Sequence, residues 1–146
     1  MRSIKMAIDY LIPEDLYYTK DHLWVKVDEN IAVVGITEYG QAQLGDVVFV
    51  ELPKVGDFVD AGDKLAVVES IKAAIDVISP VTGKITNVNE ELNEEPNLIN
   101  TEPYGDGWIA EIEMKDPSEI EDLMTASDYK AYLEELEEEE EEEEEE

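Results

Sequence analysis

Turns set the limits on this chain. Between residues 55 and 88 the sequence VGDFVDAGDKLAVVESIKAAIDVISPVTGKITNV places Gly56-Asp57, Gly62-Asp63, and then Pro80 and Gly83 between apolar runs of a few residues each. Gly supplies the backbone angles of tight turns and Pro cannot continue a hydrogen-bonded ladder, so each signal ends an element. Runs this short are strands, because a helix needs about 10–12 residues to show its period. The expectation is a mainly β body with short helices. Residues 65–69 and 74–79 read as two strands flanking Ser70, Ile71, Lys72 and Ala73.

The same grammar covers the rest. Residues 23–27 alternate loosely, and Asp28, Glu29 and Asn30 turn the chain. Residues 31–36 are continuously apolar, the pattern of a strand covered on both faces. Further strands are expected over 47–52, 84–89 and 108–114; in the last, Trp108, Ala110, Ile112 and Met114 share one face and Glu111 and Glu113 the other. Short helices are expected over 38–44 and, as a turn or two, within 91–99. Two more are expected at the C-terminal end, over 117–123 and 127–136. Asp116 and Pro117 suit the N-cap and first position of the earlier one. Tyr129, Leu133 and Leu136 line one side of the later one. Trp24 and Trp108 read as core anchors.

Charge narrows the partners. The chain has 146 residues and a net charge of −29. Between residues 134 and 146 every residue except Leu136 is Glu, so Met1 to Leu133 carries −17, the total less the tail's −12. The 10 basic residues are scattered singly, which argues against nucleic acid and anionic membrane surfaces as partners. There is no cysteine, so disulfides, thiolate metal sites and cysteine nucleophiles are excluded. Any sulfur redox chemistry must come from a prosthetic group. No acid/base pair or metal cluster stands out, which points to a non-catalytic role. The first residues do not make a secretory signal and no run reaches a membrane span, so a soluble, cytoplasmic, monomeric protein is expected. Beyond Glu137 like-charge repulsion is expected to leave the chain disordered.

A lysine between two strands and a series of Gly-Asp turns resembles the swinging-arm carriers, which hold lipoate or biotin on a hairpin lysine. Biotin carriers place Met on both sides of that lysine; here the neighbours are Ile71 and Ala73. Lipoyl domains of the 2-oxo acid dehydrogenases usually have Asp directly before it. Glu69-Ser70-Ile71-Lys72-Ala73-Ala74 instead resembles the core of the glycine cleavage H proteins. The likeness extends through Tyr18-Thr19-Lys20-Asp21-His22-Leu23-Trp24, Val34-Gly35-Ile36-Thr37-Glu38-Tyr39, Gln43-Leu44-Gly45-Asp46, Val50-Glu51-Leu52-Pro53 and Pro103-Tyr104-Gly105-Asp106-Gly107-Trp108. It spans roughly residues 18–133. In three places the chain departs from the family pattern: Leu23 stands where an acidic residue is usual, Ile75 where a small polar residue is usual, and the Glu tail is longer.

The resemblance implies a small barrel-sandwich hybrid of two quasi-symmetric halves, with short helices and a disordered Glu-rich tail. The carrier domain would span 1–136, with its hairpin core at about 55–89, and the acidic tail 137–146. It implies lipoate joined by an amide to Lys72. The carrier would take the aminomethyl group of glycine from a pyridoxal-phosphate-dependent decarboxylase (the P protein) to a tetrahydrofolate-dependent aminomethyltransferase (the T protein). Electrons would pass to dihydrolipoyl dehydrogenase (the L protein). A lipoate ligase or lipoyl transferase would attach the group, with Glu69 helping it choose the lysine. His22, the only histidine, would lie near a cleft that receives the loaded arm. Read without its context, Lys72 is an ordinary solvated turn lysine. A lipoyl relay serving other enzymes and an unmodified interaction module are the competing readings.

Overall fold

The computed structural model describes residues 9–145, with side chains described through Glu139. The expected strands form, with ends that move by a residue or two. They are β1 (Tyr17–Tyr18), β2 (Leu23–Asp28), β3 (Ile31–Ile36), β4 (Val47–Glu51), β5 (Phe58–Val59), β6 (Lys64–Ser70), β7 (Ala74–Ile78), β8 (Gly83–Val88) and β9 (Ala110–Met114). Strand β1 was not expected, because two residues carry no period. It forms by pairing Tyr17 with Val25 and Tyr18 with Trp24. Strand β9 begins at Ala110 rather than at Trp108.

The strands make two antiparallel sheets. One has six strands in the order β1-β2-β3-β9-β8-β5, the other three in the order β4-β6-β7. Their pairing does not close into a barrel, so of the expected barrel-sandwich hybrid the sandwich describes the molecule better. The reason lies in the ladders: β5 ends one sheet and β4 and β7 the edges of the other, with no rung joining them.

Helix α1 (Glu38–Leu44) carries the chain from one sheet to the other. Thr37 caps it, its hydroxyl accepting from Gly40 N at 3.0 Å. Gly45 ends it at φ 84°, a left-handed value that costs glycine nothing. Residues 91–99 hold a 3₁₀ turn (Glu90–Asn93) and the start of α2 (Leu98–Thr101). The 3₁₀ helix Pro117–Asp122 is capped as expected, with Asp116 accepting from Ser118 N.

Helix α3 (Ala126–Glu145) forms where the later C-terminal helix was expected and extends beyond residue 136. Glu is a good helix former, which suits the residues that follow Leu136. Its start is a reciprocal capping box: Thr125 Oγ1 accepts from Asp128 N, and Asp128 Oδ2 accepts from Thr125 N, each at 3.2 Å.

The six-stranded sheet is covered on both faces, as the unbroken apolar run of β3 required. Leu23, Val25, Ala32, Val34 and Ile36 pack into an aliphatic core with Val50, Val68 and Val77 of the smaller sheet. On the other face Trp24 joins Tyr18, Tyr39, Tyr129 and Leu133 beneath α3. Gly35 is what lets Trp24 lie flat there: a Cβ at residue 35 would stand 2.5 Å from the indole. Trp24 is a core anchor as expected; Trp108 is only half-buried at the edge of the same cluster.

Candidate functional site

Lys72 sits at the tip of the β6–β7 hairpin, and the tip is tightly tied. Ser70 is buried, and its hydroxyl accepts from Lys72 N at 3.1 Å and Ala73 N at 3.2 Å. It donates in turn to Ala73 O at 3.2 Å, and Ser70 N donates to the same carbonyl at 2.8 Å. Ile71 N donates to Asp46 O at 3.0 Å, fixing the tip to the loop after α1. A small hydroxyl residue two positions before the lysine thus satisfies a turn that would otherwise leave two N–H groups to water. The Lys72 side chain remains exposed.

The stem of Lys72 lies over Gly45, where a Cβ would stand 3.2 Å from Lys72 Cε and 3.7 Å from Nζ. Asn100 holds that glycine in place. Its amide donates to Gly45 O at 2.9 Å and Gln41 Oε1 at 3.0 Å, and its carbonyl oxygen accepts from Val47 N at 2.8 Å. The sequence reading missed Asn100, and no local signal marks it: its partners lie more than fifty residues away.

Beside Lys72 opens a groove of about 360 Å³. Its floor is apolar, made of Leu23, Ile36, Leu44, Ile75 and Val77, and Asp21, His22 and Asp76 add polar groups. Two of the three departures from the family pattern, Leu23 and Ile75, therefore line one cavity. A larger, more open and mostly polar hollow of about 530 Å³ lies between residues 10–14 and the start of α3, and it includes neither Lys72 nor His22.

His22 lines the groove, where the sequence reading expected it. It takes φ 65°, a value uncommon for a residue with a side chain. Two backbone bonds hold it: His22 N donates to Thr19 O at 3.1 Å, and His22 O accepts from Thr37 N at 3.0 Å. Its Nδ1 lies 2.9 Å from the Tyr129 hydroxyl, which is 2.7 Å from Thr37 Oγ1. Its ring leans on Tyr39 at 4.7 Å between centroids and stacks on Tyr132 at 6.0 Å. Burial lowers its pKa, with Asp21 opposing, so the imidazole is neutral at neutral pH. Burial likewise raises the Tyr129 pKa. The result is a neutral hydrogen-bonded wall. Tyr129 and Thr37 were not among the expected site residues; Tyr129 read only as a helix-face residue.

Glu69 is exposed and pairs across the sheet with Phe49 and Ala74, three residues before Lys72. Among the described residues no group of His, Asp and Glu is arranged to hold a metal ion. No described helix is long and apolar enough to cross a membrane.

Comparison with known proteins agrees with this geometry. The family model described as glycine cleavage H-protein matches residues 16–136. Glycine cleavage system H protein 4 of Aquifex aeolicus is 59% identical over 128 residues, covering 88% of this chain and 75% of that one. The glycine cleavage system H protein of Carboxydothermus hydrogenoformans is 50% identical over 125 residues, covering 86% and 96%. The crystal structure of a glycine cleavage system H protein from Mycobacterium marinum superimposes with a TM-score of 0.77 at 38% identity, covering 83% of this chain and 98% of that one. The tied hairpin lysine, the adjoining groove and these matches together establish that the chain belongs to the glycine cleavage H-protein family.

Proposed function

We propose that Lys72 carries a lipoyl group in amide linkage and that the chain is the lipoyl carrier of glycine cleavage. It would work in the cytoplasm between the P protein, the T protein and dihydrolipoyl dehydrogenase. Membership of the family makes it a carrier component that partners the glycine cleavage enzymes. The observation that carries the finer reading is the pairing of an exposed lysine on a rigid turn with an apolar groove beside its stem.

The residues present suit such an arm. Gly45 leaves room beneath the lysine stem that any side chain would take. Leu23, Ile36, Ile75 and Val77 offer an apolar floor for an alkyl chain and ring. When attached, the lipoyl group supplies a strained cyclic disulfide that accepts the one-carbon unit and two electrons. The protein's part is delivery and shelter. Ser70 fixes the attachment point, so the arm sweeps from a defined origin at high effective concentration. The apolar floor would shield one side of an arm lying on it from water. His22, held neutral and oriented by Tyr129, presents a polar edge to that space without adding charge.

Peptide mass spectrometry on protein from its native source tests the attachment: one lipoyl group on Lys72 is expected. Lys72→Arg should be unmodified and support no glycine decarboxylation with the partner enzymes. A native protein always bare at Lys72, in cells that lipoylate other proteins, would overturn the reading. His22→Ala should shorten the lifetime of the loaded arm in water, measured as formaldehyde release; an unchanged lifetime would remove His22 from the shelter.

A further inference from the structure

The smaller sheet has a second face, and it is not finished like ordinary surface. Strand β4 should alternate inward and outward. Instead Val48 and Phe49 are both exposed, at 55% and 52%, between buried Val47 and Val50. The register explains it: Val47 pairs with Ser70 and Phe49 with Glu69, so Val48 is the extra residue of a bulge. Bulges re-aim side chains, and they concentrate near functional sites. Here the bulge turns two large apolar side chains to solvent side by side, one strand away from the modified hairpin. Ile71, the residue before Lys72, is 69% exposed.

Phe49, Glu69 and Ala74 form one row across the three strands, on the face opposite Val50, Val68 and Ile75. Strand spacing and rise put Phe49 within about 10 Å of the turn that carries Lys72. Lys72 therefore stands on an edge. One face of its sheet looks into the groove. The other presents Val48 and Phe49 with the exposed carboxylates of Glu51 and Glu69, and exposed Ile71 and Asp46 are hydrogen-bonded to each other close by at the hairpin tip.

We propose that this outer patch is the docking surface for the enzyme that attaches the lipoyl group to Lys72. The inference rests on Lys72 being the modified residue. Reach selects this occupant. Later partners receive a group at the far end of an arm, a distance from the hairpin. The attaching enzyme has no arm to work with and must bring its active site onto Nζ. Charge selects it too. An enzyme that activates a carboxylate as an adenylate must hold phosphate with Lys or Arg, which makes its mouth basic and suited to an acidic rim. An apolar centre inside a charged rim is the layout of a specific interface. In the step itself Nζ, as the free amine, attacks the acyl carbon. The amide C–N bond forms, the acyl–phosphate C–O bond breaks, AMP leaves with its electron pair, and Nζ gives up a proton. Docking on the outer face leaves the groove free to take the arm as it forms.

The test uses the full-length unmodified chain with a lipoate ligase, lipoate and ATP, following mass gain at Lys72. Phe49→Ser and Val48→Thr should each raise the KM for the carrier about tenfold with kcat within about twofold. Phe58→Ser, an equally exposed phenylalanine in the other sheet, should change neither. Matching thermal melts identify variants that remain folded. Both patch variants modified at the wild-type KM would overturn the surface and leave Lys72 intact as the attachment point. Unchanged modification with slowed reoxidation by dihydrolipoyl dehydrogenase would also overturn it, assigning the patch to that enzyme. A wild-type chain that gains no mass at Lys72 would overturn the attachment reading and the surface with it.

Discussion

The two faces of the six-stranded sheet are filled with different chemistry. Toward the smaller sheet the core is aliphatic, with Val25, Ala32, Val34, Ile85 and Ile112 fully buried and no side-chain polar group among them. Beneath α3 the core is aromatic and carries hydroxyls. Tyr18 and Tyr129 stack at 4.7 Å with planes 4° apart. The Tyr18 hydroxyl donates to Pro13 O, and the Trp24 indole to Pro103 O. Tyr104 bridges Glu38 N and Leu11 O, and burial pushes its pKa up to about 12. The aliphatic side is non-directional glue that holds two sheets together. The aromatic side is directional and fixes the position of each group it bonds. The groove lies where they meet: Leu23 and Ile36 come from one, His22 is bonded to the other. A dry floor and an oriented polar wall each need a different core behind them.

That division can be broken from either side. The largest effect is expected on the aliphatic side. Ile112→Ala removes a fully buried side chain from a central strand and should cost about 2–5 kcal/mol. Because Ile112 pairs with both Ala32 and Ile85, denaturant melts followed on the sheets and on α3 should shift together. On the aromatic side, Tyr129→Phe keeps the stacked ring but strips the hydroxyl from His22 and Thr37. A cost of about 1–3 kcal/mol is expected. Hydrogen exchange should then quicken in α3 and around residue 22 before it does in β3 or β9. Uniform quickening would show that the two cores act as one.

The smallest effect is a pH slope. Burial holds the His22 pKa below its ordinary 6.5, so the unfolded chain binds more protons than the folded one between the folded value and 6.5. The stability tied to the neutral imidazole is therefore fully present above about pH 6.5 and is lost as pH falls toward the folded pKa. His22→Gln should flatten the change in denaturation midpoint between about pH 7.5 and about pH 5.5. An unchanged slope would assign the effect to carboxylates instead.

Much of this architecture could be read before any coordinates. Strand β3 and helix α1 have their expected bounds, because an unbroken apolar run and a short polar-apolar stretch before Gly45 are local patterns. The capped turn at Asp116 was legible for the same reason. Lys72 was singled out by its flanking letters, and the groove beside it agrees with the expected place of His22. The misses share a cause. Strand β1 exists only because β2 pairs with it, and the bulge at Val48 is visible only in the register against β6. Asn100 reads as any polar residue until Gly45 and Val47 come to it.

What the sequence determined by itself was therefore the set of strands, the turns between them and the lysine at the hairpin tip. Each depends on backbone angles and side-chain period within a few residues. Only the tertiary structure decided what surrounds that lysine. Leu23, Ile36 and Val77 come from three strands of two sheets to make one floor, and the hydroxyl that orients His22 belongs to a residue 107 positions along the chain. Burial and hydrogen-bond satisfaction are properties of the assembled molecule, and no local pattern encodes which distant residue will supply them.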